Sequence, residues 1–110
     1  MKQNLVAITE HAAAVARLVA RGKAAFDADE MLRFAGEDLI IRLGECVQRI
    51  DRAEPGFVAA HLELDLRKLK DSRNVLARGY DIVDYDIVWS ILANHIPAVA
   101  AAVQGFLRLR

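Results

Sequence analysis

Residues 67–78 read RKLKDSRNVLAR, and Tyr80 follows just beyond Gly79. Arg67, Lys68, Lys70, Arg73 and Arg78 stand there against one acid, Asp71. Guanidinium groups hold carboxylates and phosphates through paired N–H donors, so an anion site is one reading of such a strip. The plainer reading is a solvated helix end whose cations interact well with the helix dipole. Spacing bears on the choice. Leu69, Arg73, Leu76 and Tyr80 follow steps of four, three and four, which puts Arg73 on the apolar stripe. An Arg among core leucines needs a carboxylate or an anion, because an unpaired buried charge is costly. Glu37, Asp38 or Glu45 could supply that partner. So could a phosphate, or a group across a dimer interface.

Other chemistries have weaker claims. His11, His61 and His95 lie far apart, with no metal-ligand spacing, and the six glycines are too scattered for a phosphate loop. Asp81, Asp84 and Asp86 cluster, but Asp84 is better read as a helix cap, and no calcium-loop spacing surrounds it. No metal and no cofactor is therefore expected. Cys46, the one cysteine, cannot form an internal disulfide and reads as a small buried apolar residue, which suits a reducing cytoplasm. With 15 basic and 15 acidic residues the formal net charge is zero, so nucleic-acid binding would have to come from a local patch. Glu10 and His11 interrupt the first apolar run, which argues against a signal peptide, and no stretch approaches the length of a bilayer span.

These residues need a scaffold, and 110 residues fit one domain, residues 1–110, with a real core. A 55% apolar content rich in Ala and Leu, with 6% aromatics, favours helix. A first helix over residues 3–21 carries Leu5, Ile8, Ala12, Val15 and Val19 on one face and stops at Gly22. A second begins at an Asp27/Glu30 capping box with a Phe26/Met31 staple. It is striped by Leu32, Ala35, Leu39, Leu43, Cys46 and Ile50, and ends at Pro55 and Gly56. Residues 57–62 make a short helical turn. Asp65 caps a third helix, with Leu64 and Leu69 as staple, that stops near Gly79. Asp84 caps the last, with Val83 and Val88 as staple, and Val88, Leu92, Ile96, Val99, Val103 and Phe106 form its stripe. Pro97 should kink that helix or split it near Asn94. The fold class is all-α: an up-down bundle of four main helices plus a short turn.

The stretch LRKLKDSRNVLARGYDIVDYDIVWSILANHIPAV, with LGE at residues 43–45, resembles the HEPN-domain proteins of the HepT type, toxins of HepT–MntA toxin–antitoxin pairs. The likeness runs from the second helix to about Val103. It implies a helical homodimer and a metal-independent endoribonuclease acting on RNA, with Arg73 and Asn74 at the site. It also implies a partner, an MntA-like minimal nucleotidyltransferase antitoxin that transfers AMP to Tyr80. Arg78 stands where the family keeps a proton-transferring His. Guanidinium stays charged and is a poor acid or base, so an impaired enzyme is expected. Arg67, Lys68 and Lys70 would contact RNA phosphates. Two alternatives stay open: a non-catalytic nucleotide- or RNA-binding subunit of a nucleotidyltransferase, and a ligand-free helical interaction module.

Overall fold

The structure, a computed structural model, describes residues 1–77 and 83–109 (side chains of Val75 and Ala77 excepted). The chain folds into α1 (Lys2–Val19), α2 (Lys23–Ala28), α3 (Glu30–Ala53), α4 (Phe57–Ala60), a 3-10 turn (Leu62–Leu64) and α5 (Leu66–Ala77). It ends in α6 (Tyr85–Ser90), a π turn (Ile91–His95) and α7 (Ile96–Arg108). Among the described residues there is no strand, as the all-α reading requires. Helix α3 is the hub: α5 and α1 both pack on it, and α7 packs on α1.

Several starts and stops differ from the sequence reading. Gly22, at φ 89°, ends α1 and opens α2, a helix that the periodicity did not reveal. Six residues cannot establish a 3.6-residue rhythm; α2 is held by Phe26, which is fully buried, an anchor worth about 1.5–3 kcal/mol. The N-cap of α3 is Asp29, not Asp27, and its carboxylate accepts from Met31 N–H at 2.9 Å. The Phe26/Met31 staple is absent, since Met31 is 70% exposed. On α3 the buried line runs through Gly36, Ile40, Leu43, Val47 and Ile50, with Cys46 beside it, while Ala35 is exposed. On α1 Leu18 takes the buried place expected of Val19. Asp65 sits in the left-handed region at φ 57°, not in the extended conformation of an N-cap, and its carboxylate turns to Lys68 (3.6 Å) and His95 (3.9 Å). Asp84 does cap its helix, accepting from the N–H groups of Asp86 and Ile87.

Pro97 does not split the last helix. Tyr85–Arg108 continues as one 24-residue rod, and the π turn just before the proline absorbs the missing N–H and the ring. Residues 87–107 contain no Asp, Glu, Lys or Arg. This rod is thus long and apolar enough by length and composition to cross a membrane, contrary to the sequence reading. In the bundle its Val88, Leu92, Ile96, Val99 and Val103 are core residues. Phe26 wedges between the rod and α3, with its ring centroid 5.2 Å from that of Trp89. A Cβ on Gly36 would lie 2.8 Å from Leu92 Cδ1 and 3.2 Å from Phe26 Cε1, so glycine allows the wedge. Arg33 closes α2 by donating to the Asp27 carbonyl at 2.6 Å and lies over the Tyr85 ring.

His95 ends the π turn with its side chain 18% exposed and its Nε2 buried without a hydrogen-bond partner. Burial lowers its pKa from 6.5, against the opposing pull of Asp65 and with the help of Lys68. A histidine held neutral by the fold binds fewer protons there than in the unfolded chain. Its stability contribution is therefore complete above about pH 6.5 and is lost as pH falls below it. Urea melts taken between about pH 7.5 and pH 5 should show stability falling with acid. His95→Gln should flatten that slope; an unchanged slope would assign the acid sensitivity elsewhere.

Candidate functional site

The site is built where α5 crosses α3. Leu66 and Leu69 anchor α5 in the core, and one turn on from Leu69 the same stripe presents Arg73. Gly44 of α3 makes room for it. A Cβ on Gly44 would collide with Arg73 Cβ, lie 2.6 Å from Arg73 Cγ and 3.0 Å from the Leu69 carbonyl oxygen. A glycine inside a helix costs up to about 1 kcal/mol relative to alanine, and close approach of α5 is what it provides here.

The Arg73 guanidinium is half-buried and under-partnered. Its Nη1 donates to Asn74 Oδ1 at 3.3 Å, and its Nε is buried with no hydrogen-bond partner. The carboxylates considered for it are directed otherwise. Glu37 accepts from the Tyr85 hydroxyl at 2.8 Å, and Asp38 pairs with Arg42 at 2.6 Å. Glu45 forms no ion pair with Arg73, and among the described residues no acid does. A cation on an apolar stripe with a spare buried donor can take an anion, which is the chemistry of a phosphate ligand.

The remaining basic residues do not converge on Arg73. Lys70 pairs with Asp51 at the end of α3, Nζ to Oδ2 2.9 Å. Arg67 shares a small cavity with that pair, and Lys68 takes Asp65 instead. Arg78 and Tyr80, like the expected helix stop at Gly79 and the acid Asp81, lie outside the described residues. Asp84 and Asp86 are engaged, the first as a cap and the second with Lys23 at 2.8 Å. Cys46 is fully buried, and burial pushes its thiol pKa up despite Arg49 at 3.3 Å, which suits a packing role. Two contributors escaped the sequence reading. Gly44 stands within LGE, but its duty is visible only with α5 packed against it. Asp51 lies 19 residues from Lys70, a separation no local pattern reports.

A family model described as "HepT-like: Ribonuclease HepT-like" matches residues 8–105. The chain belongs to the HepT-like ribonuclease family. No curated protein and no solved structure matches it. The match runs from Ile8 within α1 to Gly105 within α7. In this HepT-like chain the packed pair Gly44–Arg73 joins the two stretches, LGE and RNVLARGY, that carry the resemblance.

Two substitutions separate scaffold from ligand roles. Gly44→Ala should cost about 1–3 kcal/mol of stability, because α5 must shift to admit the methyl group. Arg73→Ala keeps the Cβ and removes an unsatisfied donor, so its stability should stay within about 1 kcal/mol of the parent. Thermal or urea unfolding measures both. A large loss for Arg73→Ala would make Arg73 a structural residue.

Proposed function

We propose that this HepT-like chain is the toxin of a cytoplasmic toxin–antitoxin pair, an RNA-cleaving homodimer of which this copy is catalytically impaired. The observation that carries the reading is Arg73: a guanidinium on the apolar stripe, fixed by Gly44, with a buried Nε and no carboxylate among the described residues. The ligand-free module would have had Arg73 closed by an internal acid. Arg73 holds the scissile phosphate, and Asn74 orients the guanidinium through its 3.3 Å hydrogen bond. Arg78 occupies the position of the proton-transferring His, where it can hold a phosphate but cannot take the 2′-hydroxyl proton.

The test is to restore the proton carrier. Arg78→His should raise RNA cleavage in metal-free buffer by about 10²- to 10⁴-fold and slow growth of the host. Arg73→Ala on that background should abolish both. No cleavage and no toxicity from Arg78→His would overturn the ribonuclease reading and leave the non-catalytic RNA-binding subunit.

Neutralisation follows the same reading. A minimal nucleotidyltransferase antitoxin transfers AMP from ATP to the Tyr80 hydroxyl, releasing pyrophosphate and leaving a negatively charged phosphodiester on that residue. Intact mass after incubation with that enzyme and ATP should show AMP on the parent chain and none on Tyr80→Phe. A Tyr80→Phe chain that still gains AMP would move the acceptor elsewhere.

A further inference from the structure

Asp51, Arg67 and Lys70 line a cavity of about 170 Å³ together with Gly56, Val58 and Ala59. Its charges are unequal in availability. Lys70 Nζ is held by Asp51 at 2.9 Å, whereas no ion pair among the described residues involves Arg67. Two cations and one carboxylate leave one net positive charge over a space large enough for one small anion. The cavity is also in register with the Arg73 site. Asn74 lies seven residues beyond Arg67, so on a helix it stands within about 20° of the same line and about 10 Å along the axis. Arg73 reaches that line through its bond to Asn74.

We propose that this cavity is a second phosphate subsite, which takes an internal phosphodiester of the single-stranded RNA whose scissile phosphate sits at Arg73. The proposal rests on the ribonuclease reading and adds to it a direction, since the strand runs along α5 from Asn74 towards Arg67. Arg67 clamps the phosphate through its planar fork. Lys70, kept in place by Asp51, contributes a second donor. Asp51 sets the specificity: it trims the local charge to match the single negative charge of a diester and disfavours a terminal monoester, which carries close to two. Lys68 takes no part, because it leans on Asp65.

The test measures binding of a short fluorescent single-stranded RNA, 2′-O-methylated to prevent cleavage, by anisotropy across a salt series. Arg67 is exposed, so Arg67→Gln keeps the fold. It should weaken binding about tenfold and flatten the slope of log affinity against log salt by about 0.7. Asp51→Asn, which releases Lys70 and raises the local charge, should tighten binding. Lys68→Gln should stay within about twofold of the parent. Equal effects of Arg67→Gln and Lys68→Gln, with Arg73→Ala still weakening binding, would overturn the subsite and leave the ribonuclease reading intact. A parent chain with no salt-dependent RNA affinity would overturn both. Loss of the internal-diester preference, seen as stronger competition by a 5′-mononucleotide than by the RNA, would overturn the specificity assigned to Asp51.

Discussion

The contact between Gly44 and Arg73 is the constraint on which the rest of the molecule turns. Two helices can approach this closely only where one of them lacks a Cβ, and α3 lacks it opposite the residue that must be held. Any larger side chain at position 44 pushes α5 outward and takes the guanidinium with it. The apolar line Leu66–Leu69–Leu76 supplies the adhesion, and the glycine sets the distance. The rigidity that presents Arg73 is thus made of packing, and the charge itself is left largely unspent on the protein. That combination of fixed position and spare donor is what a site for a phosphate needs.

A second constraint acts about two turns earlier on α3. Phe26, carried by the short α2, fills the angle between α3 and the last helix, and Gly36 again admits the close approach. The last helix stays in one piece through Pro97 because a π turn widens the backbone where the ring would collide. It can therefore run the length of the bundle and close the core with Val88, Leu92, Ile96, Val99 and Val103. Helix α3 is thus approached closely at two glycines, Gly36 under the last helix and Phe26, and Gly44 under α5.

The charge on α5 divides among separate surroundings. Arg73 faces the helix crossing, Lys68 and Asp65 belong to the junction with His95, and Arg67 with Lys70 and Asp51 belong to the cavity beside α4. A run of basic letters thus becomes three environments, because successive residues on a helix point about 100° apart. Composition predicts a neutral surface with one basic strip; the helix geometry decides which cations act together.

The all-α class, the four long helices, the Asp84 cap and the candidacy of Arg73 could all be read from the sequence, because each depends on residues close along the chain. The 3/4 stripes of α1 and the last helix are such local signals, and so is the RNVLARGY stretch that carries the family likeness. The sequence could not reveal α2, since six residues are too few for a period, and it misplaced the α3 cap by two residues because Asp27 and Asp29 are equally good cap residues by type. It could not decide the partner of Arg73 either, for Glu37 and Asp38 were as plausible on spacing as a ligand. Tertiary structure removed those two carboxylates from the choice by committing Glu37 to Tyr85 and Asp38 to Arg42. It likewise set Gly44 against Arg73 and Asp51 against Lys70. Local propensity and periodicity specify elements one at a time, whereas a close crossing or a pair 19 residues apart exists only once those elements have been packed together.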